Sequence, residues 1–163
     1  MKNSRHKNGF TLIEVLIAIL LIGLAIAAMI SANGALTQAN GAGIELSTAE
    51  FLIEQITELT TVLPVIDPTT GTTTFGPETS ETLASYDDID DFNGASFSPP
   101  ISADRNSLND LSAYTQQITV QNVSESNFEQ VVSNHSSFFV RVDVKILFNA
   151  KEISSARWLR TRY

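Results

Sequence analysis

The 163-residue sequence has no cysteine, two histidines, 43% apolar residues and a formal net charge of −8. Without cysteine there is no disulfide framework, thiolate metal site or cysteine nucleophile, and His6 and His135 stand too far apart for a histidine-rich metal site. Between Glu45 and His135 fifteen acidic side chains accompany one basic residue, Arg105, which argues against a broad nucleic-acid surface because phosphates need cations.

The chain opens on MKNSRHKNG, with Lys2, Arg5 and Lys7 and no acid. Residues 12–32, LIEVLIAILLIGLAIAAMISA, follow with Glu14 as the single charge. A helix of about 20 apolar residues, rising ~1.5 Å per residue, spans a ~30 Å hydrocarbon core, so residues 12–32 are expected to contact membrane lipid. Flanking cations stay in the cytoplasm, which orients the amino end inward and the rest of the chain outward. A secretory signal has a shorter apolar run, of ~7–15 residues, and is cut after it, whereas here the Gly–Phe junction precedes the run. Glu14 is out of place in such a segment, because a carboxylate at mid-helix costs roughly 2.5–3.5 kcal/mol on insertion scales.

The string Gly9-Phe10-Thr11-Leu12-Ile13-Glu14, behind a basic leader and ahead of an apolar run, resembles the amino terminus of type IV pilins and type II secretion pseudopilins. The resemblance implies cleavage between Gly9 and Phe10 by a prepilin peptidase and N-methylation of the new Phe10 amine. It further implies that Glu14 is a subunit-assembly determinant, pairing with the Phe10 amine of a neighbour in the filament. A charge in low dielectric is tolerated chiefly when paired, which fits that role. The implied partners are other pilin or minor pilin subunits, the prepilin peptidase and an inner-membrane assembly platform. Loss of leader residues 1–9 leaves seven basic against eighteen acidic side chains, a side-chain sum of −11.

Residues 10–33 form the assembly helix of this reading and residues 34–63 its amphipathic rear half. Ile44, Phe51, Leu52, Ile56, Leu59 and Leu63 recur at helical spacing, with Glu45, Glu50, Glu54 and Glu58 on the opposite surface and a stop before Pro64. From Phe10 to Leu63 a continuous helix measures roughly 81 Å, matching the long amino-terminal helix of pilins. Gly34, Gly41 and Gly43 weaken the junction, each by ~1 kcal/mol against alanine.

Residues 64–112 form a variable loop region, with a turn at Asp67-Pro68-Thr69-Thr70-Gly71 and an acidic block at Tyr86–Gly94. Asp87, Asp88, Asp90 and Asp91 are oxygen donors of the type that chelates calcium. They lack the alternating ligands and closing glutamate of an EF-hand loop. The simpler expectation is an exposed acidic turn with Tyr86, Ile89 and Phe92 packed inward and no metal or cofactor. Some pseudopilins hold calcium in a late loop. The pattern Tyr-Asp-Asp-x-Asp-Asp-aromatic-x-Gly resembles minor pilins of the mannose-sensitive haemagglutinin pilus.

Residues 113–163 read as an antiparallel sheet. Residues 114–123 form one strand, and alternation of Phe138, Val140, Val142, Val144, Ile146 and Phe148 against Arg141, Asp143 and Lys145 marks a half-buried second. Asn149-Ala150-Lys151 turns into a third, residues 153–162. Arg157, Arg160 and Arg162 beside Trp158 and Tyr163 suit single-stranded nucleic acid in composition. Alternation instead sets these arginines on the outer face of an edge strand, where charge blocks aggregation. His135, in the polar stretch Ser133–Ser137, reads as solvated rather than catalytic.

The expected fold is α+β: a long amino-terminal helix packed on a small antiparallel sheet. The expected function is that of a minor type IV pilin and not an enzyme. It sits in the bacterial inner membrane with its carboxy-terminal domain periplasmic, then in an extracellular pilus. The alternatives are a minor pseudopilin of a type II secretion pseudopilus, or a pilus-borne adhesin or ligand-binding module.

Overall fold

The computed structural model describes residues 9–162. The leader cations Lys2, Arg5 and Lys7, His6 and the terminal Tyr163 lie outside the described residues. One helix, α1, runs Leu12–Thr61. The chain divides into two compact units, one ending at Gly43 and one beginning at Ile44.

In the first unit α1 is apolar all round, and Leu12, Ile13, Leu16, Leu20, Leu24 and Ile30 are all more than half exposed. Leucine, alanine and unbranched runs favour the helix, and no proline interrupts it. It continues unbroken through Gly23, Gly34 and Gly41, where an added Cβ meets nothing within 4 Å. Thr37 donates its hydroxyl back to the Asn33 carbonyl at 3.0 Å, keeping its polar atom within the helix.

In the second unit, α1 residues from Ile44 onward lie on a five-stranded antiparallel sheet. The strands are β1 (Ser96–Phe97), β2 (Tyr114–Ser124), β3 (Asn127–Val131), β4 (Phe139–Phe148) and β5 (Lys151–Thr161). The spatial order is β1-β2-β4-β5, with β3 paired to β2 beside this path. Pairing is in register at Ile118↔Val144 and Val120↔Val142, and at Val142↔Trp158 and Val144↔Ala156, so even-numbered residues of all three long strands share one face. Ala49, Leu52, Ile56 and Leu59 press on that face, and Ile118, Val120, Val142, Val144 and Ile146 meet them with almost no exposure. Phe92 and Ile89 close the core from the loop side.

The α+β arrangement and the three long strands follow the sequence pattern. The helix stripe differs by one step. The buried positions 49, 52, 56 and 59 align with half-buried Glu45 and Leu63, leaving Ile44 (68% exposed) and Phe51 (45%) on the flanks. Phe51 is ~100° around the helix from Leu52, far enough to leave the sheet.

Gln116 sits wholly buried inside this layer. Gln116 accepts from the Ile101 N–H at 2.7 Å and donates to the Leu52 carbonyl at 3.0 Å and the Ile101 carbonyl at 3.1 Å. It ties helix, loop and sheet at a single point.

Candidate functional site

The six residues of the amino-terminal motif occupy the helix start. Gly9 and Phe10 precede the helix outside any regular element and are exposed, Phe10 at 88%. Thr11 stands at the N-cap position. Its hydroxyl accepts from the Glu14 N–H at 3.4 Å. Glu14 reaches back, its Oε2 accepting from the Thr11 N–H at 2.8 Å and the Thr11 hydroxyl at 2.7 Å. This is a capping box, Thr-x-x-Glu, in which each residue satisfies a donor the first helical turn leaves open. The carboxylate also lies at the positive end of the helix dipole. Thr11 is therefore a working member of the site that motif reading alone passed over; the Thr-x-x-Glu spacing before an apolar run was its signal.

A family model described as the prokaryotic N-terminal methylation motif matches residues 4–30. That match supports the resemblance of the amino terminus to type IV pilins and pseudopilins. No curated protein matches the chain, and no solved structure matches it. The helix is long and apolar enough to cross a membrane, and with the motif it supports a membrane anchor at the amino end.

The acidic block of this pilin-type chain is not the exposed turn its composition suggested. Asp88, Asp90 and Asp91 are 2%, 3% and 2% exposed, and Asp87 is half-buried. Ile89 and Phe92 enter the core, as expected, and draw the intervening carboxyls in with them. Backbone donors receive part of each group. Asp91 Oδ2 accepts from the N–H of Asp87 at 2.9 Å and of Asp88 at 3.2 Å, while Asp88 Oδ1 accepts from the Asp91 N–H at 3.2 Å. Asp90 Oδ2 accepts from the Gly76 N–H at 2.8 Å. Gly76 itself holds φ +92°, a conformation that side chains resist, so the close approach of the two loop arms depends on glycine.

Burial pushes the Asp88 carboxyl up to about 7, with the Asp90 charge adding to the effect, and pushes Asp90 up to about 6. Asp91 is raised for the same reason, desolvation first and the Asp88 charge after it. Folding also brings in two acids the sequence reading left aside. Carboxylate oxygens of Glu78, Glu81 and Asp91 lie within 4.8 Å of one another. Nothing in the spacing Glu78-x-x-Glu81 announces this; the fold-back at Gly76 creates it.

The basic end is likewise rearranged. Arg157 lies on the outer sheet face as expected, bound to Asp143 and to Glu129 at 2.8 Å. Arg141 joins it there, 7% exposed, with its Nε 2.8 Å from Asp143. Arg160 does the opposite of the expectation. Three positions on from Arg157 it faces inward and donates to the carbonyls of Thr60 and Leu63, at the end of α1. Those carbonyls have no partner within the helix, and a guanidinium also complements the negative helix end. His135 is not a freely solvated side chain: its Nε2 lies 2.8 Å from the Thr74 carbonyl and its ring meets Phe75 edge-on at 5.3 Å.

Proposed function

We propose that this chain is a minor type IV pilin, most similar in kind to those of mannose-sensitive haemagglutinin pili. Prepilin peptidase cuts between Gly9 and Phe10 and the new Phe10 amine is methylated. The chain stands in the inner membrane through residues 12–32, amino end cytoplasmic and head periplasmic, until an inner-membrane assembly platform moves it into the filament.

The observation that carries this reading is the reciprocal Thr11–Glu14 cap. It is placed directly behind an exposed Gly9–Phe10 junction and ahead of an all-round apolar helix. Glycine lets an extended backbone enter a protease site closely. Both Thr11 donors reach Oε2 of Glu14, so Oε1 takes the cationic Phe10 amine of a neighbouring subunit. The pair fixes register, while the apolar surface supplies packing without direction.

The test is mass spectrometry of the membrane-bound chain together with sheared filaments. The expected mature terminus is N-methylated Phe10. Glu14→Ala should leave cleavage intact and remove the subunit from filaments; normal incorporation of that variant would refute the pairing. Recovery from surface filaments supports a pilus, and retention in a periplasmic fibre would move the chain to the pseudopilins.

A further inference from the structure

Where α1 ends, the chain that follows it and the end of β5 border an open cleft of about 460 Å³. Its apolar lining comes from Val62, Leu63, Val65 and Ile66, and Val62 is 83% exposed. Its charge comes from Arg160 and Arg162, and no carboxylate lines it among the described residues. That stands out in a segment, residues 44–162, that carries seventeen acidic and seven basic side chains. Val65, Ile66 and Arg162 also line an adjoining narrow slot with Phe75, His135 and Ser137.

The two arginines are held differently. Arg160 donates from Nη1 to the Thr60 carbonyl and from Nη2 to the Leu63 carbonyl at 3.2 Å, which fixes its guanidinium in the cleft wall. A guanidinium has five N–H groups, so these two bonds leave three for a ligand. Arg162 is exposed and enters no ion pair among the described residues, while its backbone N–H is anchored on the Phe138 carbonyl at 2.9 Å. A held guanidinium and a free one in the same cleft suit a carboxylate, whose two oxygens match their planar forks. The main chain adds donors: the N–H groups of Val65 and Ile66 make no hydrogen bond among the described residues.

We propose that this cleft binds the free carboxyl terminus of a partner polypeptide whose last residues are apolar. The carboxylate meets Arg160 and Arg162, the last side chains cover Val62, Val65 and Ile66, and the partner's carbonyls take the Val65 and Ile66 N–H groups. The cleft's volume falls within the roughly 300–1,000 Å³ of ligand sites. A bare inorganic anion would leave the apolar lining wet, and an acyl chain would leave the two N–H groups unpaired; a peptide end answers the charge, the lining and the donors together. The inference goes beyond assembly through the amino-terminal helix and holds whether or not the chain enters a pilus.

The experiment follows the full ¹⁵N-labelled chain in detergent micelles by NMR, with the acetylated tetrapeptide alanyl-alanyl-isoleucyl-valine as probe. Titration should give saturable shifts confined to the amides of Val62, Leu63, Val65, Ile66, Arg160 and Arg162 and to the Arg162 Nε. The same peptide with an amidated end should bind about tenfold more weakly or worse, because it loses the charged hydrogen bonds. Arg162→Gln should weaken the free-acid peptide by a similar factor. Val62→Glu alters an exposed side chain, so it should keep the wild-type Tm and yet abolish binding by setting a like charge in the cleft. Lys151→Gln, a cation outside the cleft, should bind as wild type. Equal shifts with hexanoate would assign an acyl chain, equal shifts with inorganic phosphate a bare anion, and the same shifts on concentrating the chain alone a second copy. Any of these, absence of saturable shifts, or undiminished binding by Val62→Glu would overturn the proposal.

Discussion

Replacing Gln116 with leucine tests whether a single buried carboxamide joins helix, loop and sheet. Gln116 is fully buried and makes three hydrogen bonds of 2.7–3.1 Å. Leucine fills nearly the same volume, so the change removes polarity rather than packing. The Leu52 carbonyl keeps its helical partner and loses little. Ile101 is 4% exposed and forfeits partners for both its N–H and its carbonyl. An orphaned buried group costs about 1–3 kcal/mol, and the added apolar burial returns about 1 kcal/mol, leaving a net loss of roughly 2–3 kcal/mol. For a chain of this size that lowers Tm by on the order of 10 °C. Thermal unfolding followed by circular dichroism reads it, with Gln117→Leu on the exposed face as control and an expected change within ~0.5 kcal/mol. Equal effects of the two substitutions would refute the bridging role.

Thr11→Val removes the hydroxyl of the cap and should cost the helix start about 1 kcal/mol, seen as faster hydrogen exchange at Ile13 and Glu14; unchanged protection would contradict the capping box. Arg160→Met strips two charged hydrogen bonds from the end of α1 and should cost about 1.5–3 kcal/mol in denaturant unfolding, partly restored by lysine. Asn149 and Ala150 turn β4 into β5 with φ of 48° and 65°, so Ala150→Gly should stabilise by about 0.5–1 kcal/mol in the same assay. Asp67 is held below the usual carboxylate range chiefly by the Thr70 N–H, with Thr69 helping. A lowered folded-state pKa adds stability above the unfolded value of about 3.9 that is lost as pH falls through the folded value, so Asp67→Asn should flatten the acid limb of Tm against pH.

The elements legible in the sequence are those with long, clean periodicity. Valines and isoleucine at 140, 142, 144 and 146 mark β4, and the apolar run from Leu12 marks the membrane half of α1. β3 escaped because all five of its residues are exposed, so no burial alternation signals it. β1 is two residues long, below the reach of any periodic pattern. Gln116 reads as polar and outward, yet parity with Tyr114 and Ile118 puts it inside; its partners lie 64 and 15 residues away and only folding supplies them. The same applies to Glu78 and Glu81 meeting Asp91. Arg160 shows the reverse failure: strict alternation from Arg157 already places it on the inner face, and grouping the arginines by composition concealed that.

Charge segregation takes on a physical meaning once each cation is placed. Arg141, Lys145 and Arg157 are bound to acids on the outer sheet face, Arg160 to the helix end and Arg105 to loop carbonyls. These five are occupied within their own chain, with Lys151 and Arg162 the other cations after residue 9, and the proposed cleavage after Gly9 would carry three more away, taking the side-chain sum from −8 to −11. Identical heads brought together then repel one another through charges screened over about 8 Å at physiological ionic strength. Attraction between copies has to come from the apolar helix, where Leu16, Leu20 and Leu24 are bare. Raising ionic strength is therefore expected to promote association of the chain. Light scattering of the micelle-bound chain reads it, and association that does not rise with salt would refute charge repulsion between heads as the controlling term.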